Sequence, residues 1–340
     1  MKFLPLIILL SAAAPVAARQ TPAPQPAPQP GVERRAEADA AVNVSLCLST
    51  GVIVVRGWER GEVRARAAGA GSLALETDGG QQPARRVQVL VGDDESASPR
   101  PRDCGAAGSV ELSVPRGASV NVRVQDGDVV ASDVAELRVN SLSGDVDARA
   151  VGRSADLSTM SGDISLSDSK GRARLRAVSG SVEATNVAPL AAGDEFEASS
   201  TSGEVTLEGV SHARVDGSAI SGSVRVAGPL APGGAYEFKT ISGDVTLALP
   251  AGASFRLNAK VVLSGEIVTD FPVRAASLSP DGEGPPAPPA PPRPPTGGPR
   301  PGRPVHVETP QGTTLVGTVG TGDAAVSLSS FSGTIHLKRQ

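Results

Sequence analysis

The chain reads Ser143-Gly144-Asp145-Val146, and 18 residues later it reads Ser161-Gly162-Asp163-Ile164. Close variants of this tetrapeptide return along the sequence, each with serine before glycine and a β-branched residue two places after it. The glycines of the eight copies are Gly144, Gly162, Gly180, Gly203, Gly222, Gly243, Gly265 and Gly333. The first seven are separated by 18, 18, 23, 19, 21 and 22 residues. A period of about 20 residues without a helical pattern inside it is typical of stacked β coils.

Apolar residues alternate with polar ones on both sides of the repeated glycine. In the first copy, Val146 and Ala148 follow Gly144 at two and four places, and Val139 and Leu137 precede it at five and seven. This alternation predicts a half-buried strand on each side of a corner. The glycine stands at the corner because it adopts backbone angles that residues with a side chain rarely adopt. A further apolar residue stands two places before the glycine, and because it breaks the alternation we interpret it as part of the core at a bend. These residues are Leu142, Met160, Val178, Ile220, Ile241, Leu263 and Phe331.

The repeats predict an all-β fold, a single-stranded β-helix or β-solenoid with coils of about 18–23 residues. Degenerate copies around Gly51 and Gly127 precede the regular ones, so we expect an N-terminal β capping section over 41–130 and solenoid repeats over 131–340. A proline-rich stretch at about 278–304 is expected to be a disordered insertion, because the pattern resumes after it. The open ends of a stack need caps, and the candidates are the strands around Cys47 and the coil from Phe331 to Leu337.

The first residues predict export. Lys2 precedes an almost wholly apolar run, and Val16 and Ala18 occupy the −3 and −1 positions of a signal peptidase site. We expect a signal peptide over 1–18, a disordered spacer rich in Pro, Ala and Gln over 19–40, and no transmembrane segment after cleavage. An uncleaved membrane tether is the alternative. The mature protein is expected in the periplasm or at the cell surface, associated with the outer membrane.

Two cysteines, Cys47 and Cys104, precede the regular repeats. In an oxidising compartment such a pair predicts a disulfide bond, and two unpaired thiols buried in strands are the alternative. Their spacing does not match a metal knuckle, and the chain has no other cysteine to complete one.

The charge pattern gives no sign of a nucleic-acid partner. The formal net charge is −4, acidic and basic residues are interspersed, and aromatic residues make up 2% of the chain. Neither a basic stripe nor aromatic side chains for base stacking are present in the sequence, so we expect no nucleic acid. Three histidines, His212, His306 and His336, lack metal-binding spacing and are expected at the surface.

The acidic residues that follow the repeated glycine raise two chemical hypotheses. Asp145, Asp163 and Asp244 suggest calcium, but Ser181 and Ser223 hold the same position, so turn chemistry is favoured and we expect no metal and no cofactor. One coil apart, Asp145 and Asp163 would lie about 5 Å from each other, near the spacing of a retaining glycosidase pair. Because both occupy the structural turn of the repeat, we expect no enzyme activity.

With these motifs the chain resembles the exported bacterial DUF4097/DUF2807 family, which is called the "putative adhesin" family. The family shows repeated Ser-Gly-[Asp/Ser]-[Val/Ile] copies and an early strand pair like that from Gly51 to Val63, with Trp58 in a Gly-Trp-acid-x-x-x-Val element. The resemblance covers about 42–338 and implies a single-stranded β-helix with an adhesin role. The family defines no catalytic residues, so none is implied here, and the proline-rich insertion departs from its pattern.

We therefore predict a non-enzymatic envelope or cell-surface β-solenoid, an adhesin-like binding or structural module. Its expected partner is an unknown protein or glycan at the cell envelope. One alternative is an envelope-stress or signalling accessory protein that acts through a protein partner. Another is a scaffold that assembles itself by end-to-end stacking of its coils.

Overall fold

The computed structural model describes residues 31–69, 71–78, 82–92, 104–105, 108–280 and 312–340. The chain divides into two compact units, residues 1–30 and 31–340, and every described residue belongs to the second. The described residues form 26 strands and no helix, which confirms the predicted all-β class. It follows that this part of the chain has no helix of the length and apolar character that a membrane crossing needs.

In chain order the strands are β1 Val32–Thr50, β2 Ile53–Trp58, β3 Glu62–Ala68, β4 Ser72–Thr77, β5 Ala84–Gly92, β6 Ser109–Pro115, β7 Ser119–Asp126, β8 Val129–Ser132, β9 Glu136–Ser143, β10 Val146–Arg149, β11 Ser154–Ser161, β12 Ile164–Ser167, β13 Arg172–Ser179, β14 Val182–Thr185, β15 Glu195–Ser202, β16 Val205–Glu208, β17 Arg214–Ser221, β18 Val224–Ala227, β19 Ala235–Ser242, β20 Val245–Leu249, β21 Phe255–Ser264, β22 Ile267–Thr269, β23 Arg274–Pro280, β24 Thr313–Val319, β25 Ala324–Ser332 and β26 Ile335–Arg339.

The strands form two sheets with the core between them. The long-strand sheet has the order β4-β5-β1-β7-β9-β11-β13-β15-β17-β19-β25-β21-β24-β23. The short-strand sheet has the order β1-β3-β6-β2-β8-β10-β12-β14-β16-β18-β20-β26-β22. From β7 to β20 each coil adds one strand to each sheet, parallel to the strand before it, which confirms the predicted solenoid.

The alternating residues of each coil fill the core. In the coil of Gly144, Leu137 and Val139 from the long-strand sheet and Val146 and Ala148 from the short-strand sheet are buried. The residue three places before the glycine is buried as well, and it is serine, threonine or alanine in most coils. Five of these hydroxyls donate a hydrogen bond to a backbone carbonyl oxygen: Ser141, Thr159, Ser200, Thr240 and Ser330. These five hydroxyl groups are therefore buried with a hydrogen-bond partner each.

The corner glycines stack on one another. Gly180 has a φ of 143°, which residues with a side chain rarely adopt. A Cβ atom on Gly180 would overlap with the carbonyl oxygen of Gly162 in the neighbouring coil. The same contact links eleven glycines, which in stack order are Gly108, Gly51, Gly127, Gly144, Gly162, Gly180, Gly203, Gly222, Gly243, Gly333 and Gly265. The eight glycines of the repeat and three earlier ones thus form one column.

At the C-terminal end the coils do not stack in chain order. β25 lies between β19 and β21, and β26 lies between β20 and β22. The prediction that the coil from Phe331 to Leu337 caps the stack is therefore wrong, because this coil lies inside it. The antiparallel strands β24 and β23 cover the edge of β21 instead.

The N-terminal end shows the same interleaving. β1 lies between β5 and β7 in the long-strand sheet, and β2 lies between β6 and β8 in the short-strand sheet. The second half of β1, which carries Cys47, is therefore inside the stack and does not cap it. Antiparallel pairing of β4 with β5, and of β3 with β6 and with the first part of β1, closes this end. β3 and β4 lie within the predicted capping section over 41–130, so strands of that section do close this end. Within the described residues neither sheet breaks near 130, and the other strands of the section continue the same stack.

Two predicted boundaries move because strands extend beyond them. β1 begins at Val32 and pairs with β3 from Val32 to Glu37, so the spacer predicted over 19–40 is wrong for its last nine residues. The backbone of this weakly apolar segment is held by its hydrogen-bonded neighbour. β23 runs to Pro280, so residues 278–280 of the insertion predicted at about 278–304 lie in a strand. The signal peptide at 1–18, the start of the spacer and the rest of the insertion lie outside the described residues.

Cys47 and Cys104 are joined by a disulfide bond across 57 residues of sequence. The backbone beside it is paired as well: Gly105 N–H donates to the Cys47 carbonyl oxygen at 3.1 Å, and its own carbonyl oxygen accepts from Ser49 N–H at 2.7 Å. The bond therefore fastens a short segment to the side of β1.

Replacing a corner glycine tests the column directly. We expect Gly180→Ala to lower the free energy of unfolding by at least about 2 kcal/mol, because alanine disfavours this φ and its Cβ overlaps with Gly162. Gly252→Ala is the matched control, since a Cβ there meets no atom within 4 Å. Urea unfolding of both variants provides the measurement, and equal stabilities would contradict the role of the column.

Candidate binding face

Seven apolar side chains form a column on the outer face of the long-strand sheet, two places before the corner glycines. We call this column the apolar stripe, and in stack order its members are Leu142, Met160, Val178, Ile220, Ile241, Phe331 and Leu263. Their relative exposure is 46–52%, so the prediction that they belong to the core is wrong. The buried row is the one three places before the glycine, and the next residue along a strand faces the other way.

The stripe is long and nearly continuous. It spans eight coils, with Thr201 as the polar member between Val178 and Ile220. With strands about 4.8 Å apart, its length is about 34 Å. Phe331 fills the place between Ile241 and Leu263 only because the last coil is inserted there. An apolar patch of this extent on a protein surface is often a site of interaction.

A cleft lies on the same face, nearer the starts of the strands. Its volume is about 720 Å³, and it crosses β13, β15, β17, β19, β25 and β21 up to a rim formed by β24. Charged side chains of both signs line it, among them Arg174, Glu195, Glu197, Arg214 and Asp216. Each sits on a strand of a rigid stack, so the sheet sets the spacing between their charges.

Most of the charge in the cleft is paired. Glu197 accepts hydrogen bonds from Arg174 at 2.7 Å and from Arg176 at 3.0 Å, and Glu195 pairs with Arg214. Burial raises the pKa of Glu197, but the two arginines outweigh it and hold that pKa below its ordinary value. Across this part of the face the cations and anions therefore neutralise each other.

Asp216 differs from the other carboxylates of the cleft. Burial raises the pKa of Asp216 above its ordinary value; Lys239 opposes this shift, and the charges of Glu237 and Glu197 add to it. A carboxylate with a raised pKa in a cleft is a pattern found at catalytic sites as well as in structural ion networks.

The aromatic side chains at the cleft lie beneath the sheet. Phe196 and Tyr236 are 1% and 4% exposed, so neither presents a face to a ligand. The Tyr236 hydroxyl donates to the His212 carbonyl oxygen at 3.0 Å, and His212 is itself buried and packs on Phe196. The prediction of a surface position for His212 is wrong, because its ring fills a corner of the core and its Nε2 hydrogen-bonds to the Gly171 carbonyl oxygen at 2.8 Å. Burial lowers its pKa.

The aspartates after the corner glycine bind backbone rather than each other. The Oδ1 atom of Asp145 accepts a hydrogen bond from Asp163 N–H at 2.8 Å, and that of Asp163 accepts from Ser181 N–H at 2.7 Å. Asp244 makes the same bond to Thr334 N–H at 2.7 Å. In the described part of the chain there is no group of three His, Cys, Asp or Glu residues placed to hold a metal ion. Each of these carboxylates thus links the corner of its own coil to the corner of the neighbouring coil by a hydrogen bond.

The early strand pair with the Gly-Trp element also has a defined geometry. Trp58 Nε1–H donates to the Glu62 carbonyl oxygen at 2.9 Å, which closes the turn between β2 and β3. The guanidinium groups of Arg60 and Arg64 lie 5.1 and 4.9 Å from the ring centroid of Trp58. These cation–π contacts fix the tryptophan at the turn.

The sequence of the chain matches the model of one protein family. The Toastrack DUF4097 family model matches residues 102–277, just over half of the chain. The chain belongs to this family. The predicted resemblance is thereby confirmed. The matched residues include the cleft strands β13, β15, β17 and β19 and six of the seven members of the apolar stripe, all except Phe331. No curated protein matches the chain significantly.

Three solved structures are similar to this chain at low sequence identity. A "putative cell adhesion protein" from Clostridium sporogenes is 8% identical, with a TM-score of 0.24, over 92% of this chain and all of that one. A "putative adhesin" from Parabacteroides distasonis is 9% identical, with a TM-score of 0.39, over 65% of this chain and 91% of that one. Another from Parabacteroides merdae is 12% identical, with a TM-score of 0.32, over 65% and 89%. TM-scores of this size carry no argument about function.

The two cleft carboxylates with opposite pKa shifts predict opposite effects of neutralisation. At pH 7 we expect Glu197→Gln to lower the melting temperature and Asp216→Asn to raise it. A lowered pKa makes the ionised Glu197 stabilising above its unfolded-state pKa, whereas a raised pKa makes ionisation of Asp216 costly. The Glu197 effect should stay below about 1 kcal/mol, because the ion pair is partly exposed.

The pH dependence separates this effect from simple packing changes. As the pH falls, the advantage of Glu197 is lost through its lowered pKa, and the cost of Asp216 disappears through its raised pKa. Both variants should therefore approach the parent chain in acid, as measured by thermal unfolding between pH 3 and pH 7. Differences that do not change with pH would contradict the electrostatic assignment.

Proposed function

We propose that this chain is an exported, adhesin-like β-solenoid of the cell envelope that binds a protein or glycan and catalyses no reaction. The observation that carries the proposal is the outer face of the long-strand sheet, where a cleft of about 720 Å³ and the apolar stripe lie side by side on one rigid stack. Stacked coils commonly present an extended face of this kind to a partner. Membership of the Toastrack family and the signal sequence predicted over residues 1–18 support the envelope setting.

The pairing of charges in the cleft supports binding over catalysis. A glycosidase needs two carboxyl groups free to exchange a proton and to attack or activate water. Here Glu195 and Glu197 are engaged by arginines, and Glu237 pairs with Lys239 at 2.6 Å. Rows of paired Arg and Glu side chains instead offer many hydrogen bonds to the hydroxyl, amide or carboxylate groups of a polar partner.

The same architecture weighs against self-assembly through the ends of the stack. At both ends of the long-strand sheet, antiparallel strands lie outside the last parallel pair, namely β4 on β5 and β24 with β23 on β21. A filament that continues the parallel stack would have to displace them. A signalling accessory that uses this face for an envelope protein remains within the proposal, as one class of partner.

A cleft variant tests the binding role. The full chain, immobilised, is probed with a glycan array and with solubilised cell envelope, alongside the double variant Glu195→Ala with Arg214→Ala. We expect a captured glycan or protein to bind the variant about tenfold more weakly, because the variant removes paired groups at the centre of the cleft.

Glu204→Ala with Arg225→Ala provides the matched control. It removes another exposed ion pair, located away from the cleft. Its binding should equal that of the parent chain. Capture that both double variants weaken equally, or conversion of an arrayed glycan by the parent chain, would contradict the proposal.

A further inference from the structure

We propose that the apolar stripe is a docking site for a polyproline segment, and that in this chain its occupant is residues 285–295. This inference does not use the cleft. A docked segment would cover the stripe and leave the cleft as the part of this face that is open to the partner proposed above. It rests on the chemistry of the stripe, on the sequence of that segment, and on where the structure places the two ends of the intervening chain.

The segment has a strict three-residue period. Residues 285–295 read Pro-Pro-Ala-Pro-Pro-Ala-Pro-Pro-Arg-Pro-Pro. Sequences of this kind favour the polyproline II helix, which has three residues per turn and makes no internal hydrogen bonds. Two of its three ridges would consist only of proline rings, and the third would carry Ala287, Ala290 and Arg293. A partner for such a helix is a narrow apolar surface, because proline rings supply apolar contact and no N–H group.

The dimensions of the stripe and of such a helix agree. Eleven residues at about 3.1 Å each span about 34 Å, and the seven steps between eight coils, at about 4.8 Å each, span the same length. The period agrees as well, since one helical turn of about 9.3 Å equals two coil steps of about 9.6 Å. A helix laid along the stripe would therefore repeat its contact with every second member.

The structure brings the ends of the intervening chain to one end of the stripe. Thr313 pairs with Val261 and with Pro280, so β23 ends and β24 begins on the corner side of the long-strand sheet. Val261 is two residues before Leu263, the last member of the stripe. Four residues, 281–284, then separate Pro280 from the first proline of the segment, and the 17 residues 296–312 suffice for the return at about 3.3 Å each.

The tether favours this occupant over a second molecule. Attachment beside the stripe gives the segment an effective concentration in the millimolar range, so modest apolar contact suffices for docking. Polyproline II also loses little conformational entropy on binding, because proline restricts the free chain in advance. Half-exposed aliphatic side chains flanked by the serines that precede each corner glycine suit proline rings better than they suit a charged partner.

Docking can be measured from the broadening of one NMR signal in the stripe by a nitroxide label on the segment. Met160 lies in the stripe and is the only methionine besides Met1, so its ε-¹³C methyl group gives one assignable NMR signal. The chain has two cysteines and both are in the disulfide, so Ala290→Cys supplies a single site for a nitroxide. In the docked arrangement position 290 lies about 13 Å from Met160 along the stripe.

We expect strong broadening of the Met160 signal in dilute, spin-labelled full chain, and recovery of the signal on reduction of the nitroxide. Ile220→Gln with Ile241→Gln should shift the docking equilibrium about tenfold toward the free segment and restore most of the signal. Leu190→Gln with Val130→Gln is the matched control, because both residues are exposed and apolar but lie off the stripe, and it should leave the broadening unchanged.

Every other outcome overturns the proposal. No broadening at Met160 means that the segment does not dock. Broadening that the stripe variant does not relieve means that the segment approaches without using the stripe. Broadening in a mixture of spin-labelled chain without ¹³C and ¹³C-labelled chain without nitroxide, at the same strength, means that a second copy is the occupant.

Discussion

The contact on which this structure depends is the one between successive corner glycines. In each pair, the carbonyl oxygen of one glycine occupies the space that a Cβ atom of the next would need. The coils can therefore approach to hydrogen-bonding distance at the corner only if the side chain is absent, and the positive φ at most of these glycines adds the same demand. Eleven glycines in one column make this contact from coil to coil.

The outer face follows from that corner. Because the chain turns at the same residue in every coil, residues at equal distance from the glycine align from coil to coil, and each position becomes a column. The buried Ser/Thr/Ala row stands three places before the glycine, and the apolar stripe stands two places before it. One place after it stands a mixed polar row, in which Asp145, Asp163 and Asp244 accept a hydrogen bond from the backbone of the next coil. A partner that binds this face therefore contacts a pattern that repeats from coil to coil rather than a single pocket.

The sequence predicted the repeat, the strands and the corner because they depend on local alternation and on glycine. Local alternation does not distinguish an apolar residue that faces the core from one that faces solvent, so it places Leu142 and Met160 on the wrong side of the sheet. The residue just before each of them, Ser141 or Thr159, could have corrected this. It stands two places after a buried apolar residue of the same strand, and its small side chain is buried and hydrogen-bonded. Burial of His212 has no counterpart in the sequence pattern, since it depends on contacts with Phe196 and Gly171 from other coils.

The order of the coils was equally beyond the sequence, because strands from adjacent coils carry the same motif and any of them could pair. The interleaved order places Ser332 beside Ser264, with their Oγ atoms 2.7 Å apart, whereas Ser242 and Ser264 are two coil steps apart, about 9.6 Å. Oxidation of two double variants, Ser264→Cys with Ser332→Cys and Ser242→Cys with Ser264→Cys, followed by peptide mass spectrometry, tests this order. We expect a new disulfide in the first variant and none in the second, since a disulfide requires Cα atoms closer than about 7 Å. A disulfide in the second variant and none in the first would show that the coils stack in chain order, and would contradict the order Gly243-Gly333-Gly265 in the glycine column and Ile241-Phe331-Leu263 in the apolar stripe.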